Sequence, residues 1–391
     1  MSEIQSVEGR PIKKGISPGQ RSAYTALALL VGAVAILVVG QLIQPPPLPL
    51  DHELALLRSS GAVELALPDG TAATPLSGSG VPIDGTAIRW APGGDFLAVR
   101  RDAELVIVDR AGVVAWRHTL RSPFSDFAWS PDGSRIAIDD AVDLGTVAEQ
   151  GPIAGQVSVE IYTTTGALEW GVPVDPGFER IGGDGSLAWA PDGSSVAFTG
   201  LTQRVSEGLQ WSSVWLAGIR GQTVRRLTSD TGTFDYGPVW TTGVGLVIGR
   251  MTTAGSSIST IDPANGAATE LLRRPSELCG SGSSCAPVHL SPLVPSPDGR
   301  LIAFRDPRFG VSILNPATRE IIKIPQEEVV PDVPYAWSED GAFLYLQGHA
   351  APTADPSHPG SLARFDVTAR TLSLVIADVV SFDLLARPSS P

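Results

Sequence analysis

The stretch "FAWSPDGSRIAI", Phe127–Ile138, packs an apolar run ending in Trp, a Pro-Asp-Gly turn and an alternating apolar run into twelve residues. Pro presets φ for a tight turn and Gly supplies the positive φ that the turn needs. The alternation Arg135-Ile136-Ala137-Ile138 reads as a strand buried on both faces. The stretch therefore predicts an antiparallel hairpin. A single hairpin buries little, so the fold depends on whether it has partners of its own kind.

Five further copies answer that question. "IRWAPGGDFLAV" begins at Ile88, "LAWAPDGSSVAF" at Leu187, "LVPSPDGRLIAF" at Leu293 and "YAWSEDGAFLYL" at Tyr335; a decayed copy, "PVWTTGVGLVIG", begins at Pro238. The shared third position is held by Trp90, Trp129, Trp189, Trp240, Pro295 and Trp337, in steps of 39, 60, 51, 55 and 42 residues. A period near 40–45 residues with four strands per unit is the mark of a propeller blade, and the longer steps then contain insertions. Two more apolar stretches follow each hairpin, such as "ELVIVDR" and "GVVAWRH" after Trp90. Radial stacking of four-stranded units buries faces that one unit alone leaves wet. The expected class is an all-β propeller. Six copies give six blades, and two remnants are left over. Residues 54–78 read as three strands without a first one, and 379–387 ("VVSFDLLAR") as a first strand with nothing after it. Joined, they make a split seventh blade. Seven blades is the expectation, and six with a loose stem the alternative.

The core W-[SA]-P-D-G-x-x-[IVL]-A-[FIV] resembles the TolB-type propeller repeat, a relative of the WD repeats, over residues 54–388. The resemblance implies fold and leaves function open, because propellers host many functions. The tryptophans at the repeat position read as packing between blades.

The first fifty residues are of another kind. "AYTALALLVGAVAILVVGQLI", Ala23–Ile43, is 21 residues without a charge. At ~1.5 Å per residue it spans about 31 Å, the thickness of a bilayer core. A cleaved secretory signal is the alternative, but the stretch is long for one and leads into "QLIQPPPLPL" with only a weak Val38-x-Gly40 site. Arg10, Lys13, Lys14 and Arg21 outweigh Glu3 and Glu8 before it, and Asp51-His52-Glu53 follows it. The positive-inside rule then gives a cytoplasmic tail (1–22), a single transmembrane helix (23–43), a Pro-rich stem (44–53) and a propeller outside the cell membrane, in a bacterial envelope.

The formal net charge is −13 and the tail before the span is basic, so the exterior part is strongly acidic. Such a domain does not suit nucleic acid, whose binding rests on Lys and Arg against phosphates. Cys279 and Cys285, within "CGSGSSC", suit a small-loop disulfide outside the cytoplasm. A zinc site would need four ligands and is the lesser reading.

The search for catalytic motifs is mostly negative. There is no His-Glu-x-x-His, P-loop or Gly-x-Gly-x-x-Gly, and the one Gly-x-Ser-x-Gly, Gly15–Gly19, falls in the tail rather than on a strand-turn-helix. Asp132, Asp192 and Asp298 could be calcium ligands but are what such turns use anyway. Whether the chain is an enzyme stays open, the non-enzyme reading being preferred, and no cofactor is expected, with calcium the exception to consider.

Insertions give the functional clue. Residues 139–156, 199–210 and 348–360 fall between second and third strands, and the cysteine loop between a fourth strand and the next first one. All therefore project from one face of the propeller, opposite the Pro-Asp-Gly turns. Glu149, Arg204, Trp211 and His358 are the candidate contacts there. The expected function is a membrane-anchored platform that binds a protein or envelope polymer. A propeller hydrolase or lactonase with a metal in its channel is the alternative.

Overall fold

The computed structural model describes residues 53–78, 81–82, 87–121, 125–140, 158–173, 180–181, 187–204, 210–228, 232–275, 289–306, 308–326, 329–350 and 360–385. The chain divides into two compact units, Met1–Pro46 and Pro47–Pro391, and every described residue belongs to the second. The expected tail, membrane span and nearly all of the stem lie outside the described residues. Among the described residues no helix is long and apolar enough to cross a membrane.

The copy that opened the sequence argument forms a four-stranded antiparallel sheet. Phe127–Trp129, Arg135–Asp140, Ser158–Thr163 and Leu168–Pro173 pair in chain order, and we call such strands A to D. This is sheet 2. Sheet 1 runs Ala87–Trp90, Phe96–Arg101, Glu104–Asp109 and Val114–Thr119. Sheet 3 has Leu187–Trp189, Ser195–Arg204, Gln210–Gly218 and Thr223–Arg226, with a short extra strand, Arg180–Ile181, against its B strand. Sheet 4 has Phe234–Thr241, Gly245–Thr252, Gly255–Ile261 and Ala268–Pro275. A single parallel bridge, Ser212 to Phe234, joins sheets 3 and 4. Sheet 5 has Leu293–Pro295, Ile302–Asp306, Gly310–Leu314 and Ile321–Lys323, and sheet 6 has Val329–Trp337, Phe343–Ala350, Ser361–Asp366 and Thr371–Ala377. The closing sheet takes B, C and D from Leu54–Leu57, Val63–Ala66 and Thr74–Pro75, and A from Ser381–Leu384. Leu56 pairs with Phe382, as the split-blade reading requires.

Alternation along the B strands builds the core. Leu97 and Val99 pack toward the closing sheet, whereas Ala98 between them packs toward sheet 2. Ile136 and Ile138 pack back onto sheet 1, and Ala137 onto sheet 3. The same split recurs at Val196/Phe198 against Ala197, Leu246/Ile248 against Val247 and Ile302/Phe304 against Ala303. In sheet 6, Leu344 and Leu346 face sheet 5 while Tyr345 faces the closing sheet. There Leu54 and Leu56 meet sheet 6, and Ala55 and Leu57 meet sheet 1. The succession of cores thus returns to its start, and the fold is a β-propeller. In sheets 1, 2, 3 and 5 the B-strand residue between two large ones is an alanine, which lets the next sheet approach closely.

The repeat tryptophans do more than fill space. Trp129 Nε1 donates to Arg89 O at 3.2 Å, Trp189 to Ala128 O at 3.0 Å, Trp240 to Ala188 O at 3.2 Å and Trp337 to Val294 O at 3.0 Å. Each acceptor lies just before the repeat position of the preceding sheet. An A strand has one unpaired edge, and the next sheet's indole caps a carbonyl on it. At the seam the device changes. Trp90 Nε1 is buried without a partner among the described residues, and Trp90 N donates instead to Asp383 Oδ2 at 2.7 Å.

The A–B turns hold themselves. Asp132 Oδ1 accepts from Ser130 Oγ (2.6 Å), Ser134 N (3.0 Å) and Ser134 Oγ (2.8 Å). Asp192, Asp298 and Asp340 accept from their own turns in the same way. Gly94, Gly133, Gly193, Gly299 and Gly341 all take φ between 64° and 74°.

Candidate functional site

Strands alternate in direction, so the A–B and C–D turns share one face and the B–C and D–A connections share the other. The first face is short and closed upon itself. It carries an open groove of about 560 Å³ lined by Pro68, Ser338, Glu339, Asp340, Phe343, Tyr345 and Arg364. Tyr345 Oη donates to Pro68 O at 3.1 Å, and Arg364 stacks 4.6 Å over Phe343. Ser338 holds the Asp340 carboxyl below its ordinary pKa by donating its hydroxyl to it.

The second face is built differently. Buried carboxylates stand at the strand ends, each held by a cation. Asp235 is fully buried at the start of the sheet 4 A strand and receives Arg250 Nε at 2.7 Å and Nη2 at 3.0 Å. Asp306 is equally buried at the end of the sheet 5 B strand and receives Arg274 Nε, from sheet 4, at 2.7 Å. Arg89 reaches Asp126 at 3.0 Å and donates also to Phe127 O. Asp126 N donates to Asp139 at 2.5 Å, and Arg100 donates to Ser125 O at 2.9 Å. Arg58 binds Glu64 through Nε and Nη2 and crosses to Ala377 O of sheet 6 at 3.0 Å. Unpaired, any of these charges would be costly to bury; Asp235–Arg250 and Arg58–Glu64 pair within a sheet, and Arg274–Asp306 and Arg89–Asp126 pair across two.

Three local constellations stand on this face. Glu160 accepts from Tyr162 Oη at 2.6 Å and Arg121 at 3.1 Å, with His118 Nε2 at 3.9 Å and the His118 and Tyr162 rings 5.0 Å apart. His349 Nδ1 lies 2.7 Å from Asp332 Oδ2. Asp332 sits where the register slips between Pro331 and Val333, a bulge that turns its carboxylate toward the ring. Phe309, at the tip of the sheet 5 B–C turn, is 40% exposed, with Lys323 Nζ at 4.0 Å and Arg274 at 5.6 Å from its ring centre. Near the same rim Tyr236 Oη accepts from Leu290 N at 2.8 Å, and burial pushes its pKa up to about 12. Partial burial lowers that of His289, whose ring is tilted 44° to that of Tyr236 at 4.8 Å. Among the described residues no group of three or more metal-ligating side chains converges.

The sequence-derived candidates fare unevenly. Glu149, His358, Cys279 and Cys285 lie outside the described residues. Arg204 and Trp211 do not stand in a loop, as expected, but on strands: the sheet 3 B strand continues to Arg204 and C begins at Gln210. Cross-strand pairing persists past Gly200, through an irregularity between Leu201 and Gln203, so the insertion extends the hairpin. The first residues of the 348–360 insertion are likewise strand, to Ala350. The ion-paired rim and Phe309 were missed. Their mark in the sequence is a charged tip, "RDPRFG", between two apolar strands and shorter than the insertions.

No protein-family model matches the chain, and no curated protein matches it. Solved structures do match. A puromycin hydrolase is 15% identical over 83% of this chain and 52% of its own, with a TM-score of 0.56. An oligogalacturonate lyase in complex with manganese is 15% identical over 77% and 81%, at 0.53. A putative TolB from Agrobacterium tumefaciens is 16% identical over 84% and 91%, at 0.39, too loose to support an argument. The first two likenesses are to fold, and the chain spans only about half of the hydrolase. They accord with a β-propeller fold.

Proposed function

We propose that this chain is a membrane-anchored, extracytoplasmic propeller of seven blades that binds a protein or envelope polymer through its B–C/D–A face. Each four-stranded sheet counts as one blade. The observation that carries the reading is the difference between the two faces. One is closed by self-bonded aspartate turns. The other is stiffened by buried Arg–carboxylate pairs beneath the loops, with an exposed aromatic among them. Loops on a rigid scaffold are where recognition residues sit. No cofactor is needed for this role. The cell-membrane location rests on the apolar 23–43 stretch and the charges that flank it.

A photo-reactive residue placed at Phe309, in the full chain in its own envelope, should give specific adducts. The same residue at Arg220, on the turn face, should give none. Adducts from Arg220 alone would overturn the reading. Protease added outside the membrane should digest the propeller and spare the tail.

The enzyme alternative has one observation in its favour, the Asp332–His349 pair. A carboxylate on Nδ1 orients an imidazole so that Nε2 can bind a metal or move a proton. It predicts a rise in unfolding midpoint with manganese, zinc or calcium that His349→Phe abolishes. No rise with any of the three would leave the binding reading alone.

A further inference from the structure

We propose that Phe309, Arg274, Arg308 and Lys323 form a binding site for an acidic peptide segment that also carries apolar side chains, presented by a protein partner. The inference rests on the platform reading and names the partner's chemistry.

The site lies between blades 4 and 5. Arg274 is the last residue but one of the sheet 4 D strand, Arg308 and Phe309 sit in the sheet 5 B–C turn, and Lys323 ends the sheet 5 D strand. Their geometry is fixed before any ligand arrives. Arg274 is tied by Nε to Asp306 at 2.7 Å, and Arg308 Nη2 donates to Pro275 O at 2.6 Å. Asp306 also receives Arg308 N at 3.0 Å through Oδ1, and Phe309 N donates to Asp306 O at 3.0 Å. Gln326 Nε2 donates to Phe309 O at 3.3 Å, and Gly310 follows at φ 74°. One buried carboxylate thus organises the turn while answering only one of three cations. Lys323 and Arg308 have no carboxylate partner among the described residues, in a chain whose net charge is −13. Cations that have no carboxylate partner among the described residues, around an aromatic in an acidic protein, suit an anionic ligand.

Phe309 selects among anions. A phosphate polymer offers charge but nothing apolar to cover a ring that is 40% exposed. A peptide with both acidic and apolar side chains satisfies both demands, and an aromatic beside arginine is the usual make-up of an interface hot spot. Phe309 also positions the cations, since Lys323 and Arg274 both lie against its ring.

The test uses the full chain in detergent and a fluorescein-labelled peptide, (Leu-Glu-Asp) repeated three times, read by polarisation. Binding is expected to weaken about tenfold between roughly 50 and 300 mM salt. Lys323→Glu should weaken it at least ~10-fold and Phe309→Ala ~5-fold, whereas Arg220→Glu on the opposite face should change nothing. Each variant's unfolding midpoint is measured alongside, so that lost binding is not lost folding. No peptide binding at about 1 mM, or equal binding by all variants, overturns the proposal. So does polyphosphate that binds more tightly than the peptide and ignores Phe309→Ala, which would mean a bare anion patch. If the peptide fails while cross-links at the loop face persist, the platform reading stands and only this site falls.

Discussion

At the scale of the residue, the repeat tryptophan is explained by its nitrogen as much as by its area. Four indoles reach back to the previous blade's carbonyl, and Trp90 does not. Trp189→Phe keeps most of the apolar contact but strands Ala128 O, and should cost ~1–3 kcal/mol. Trp90→Phe removes a donor that already lacks a partner and should cost clearly less. Urea unfolding of the two variants checks the pair; equal losses would mean that area alone matters. Asp383 replaces the missing clasp. Burial pushes its pKa up to about 6, against the pull of the Trp90 and Leu384 amides and the Arg89 charge. The folded state then holds a proton that the unfolded state has released between pH ~4 and ~6. This group's stabilisation is therefore present below pH ~4 and lost as pH rises through ~6. Asp383→Asn should gain on the wild type by ~1–3 kcal/mol over that window, read as the difference between their unfolding free energies at pH 4 and 7. A difference that does not change with pH would place the carboxyl in water.

At the scale of the element, the hairpins were legible because their grammar is local. Pro, Asp and Gly fix the turn within four residues, and the period-two run that follows fixes the strand. Even the sheet shared by 54–78 and 381–384 was legible, because 54–78 lacks a first strand and 379–387 lacks the other three. The sheet 3 extension was not, because "TGLTQR" pairs only when Trp211 and its neighbours come alongside. The ion-paired rim was hidden for a similar reason. Asp306 and Arg274 are 32 residues apart and on different blades, so neither stretch alone marks a pair. Turns also differ in ways that the motif conceals. A side chain at Gly193 would meet nothing, so Gly193→Ala costs only its positive φ, ~1 kcal/mol. Gly299 lies against the backbone of Gly243, and a Cβ on Gly243 would meet Gly299 O at 2.6 Å. The decayed "TTG" turn of blade 4 and the "PDG" turn of blade 5 therefore pack glycine on glycine. Gly299→Ala should lower the unfolding midpoint at least twice as far as Gly193→Ala. Equal shifts would show that the neighbouring turn yields freely.

At the scale of the molecule, the issue is how the ring is shut. Sheets 1 to 6 each form from one stretch of chain, and the inner strands of sheets 2, 3, 4 and 6 bond back to the sheet before through their indoles. The closing blade alone joins residues more than 300 positions apart, Leu54–Leu57 with Ser381–Leu384. Phe382 is 1% exposed and lies 4.8 Å from the Tyr335 ring of blade 6, while Asp383 holds blade 1. The last strand thus touches both neighbours as well as its own sheet, and all three sets of contacts vanish together if it leaves. A ring that depends on this strand should lose cooperativity without it, whereas a six-bladed ring with a loose stem would hardly notice. Ending the chain at Ala377 should lower the unfolding midpoint by well over ten degrees and broaden the transition, since two faces of core are opened at once. A peptide of residues 378–391 added in trans should restore part of the loss, and the same peptide with Phe382→Ala should not. An unchanged midpoint after truncation would favour six blades, because closure would then be complete before residue 378.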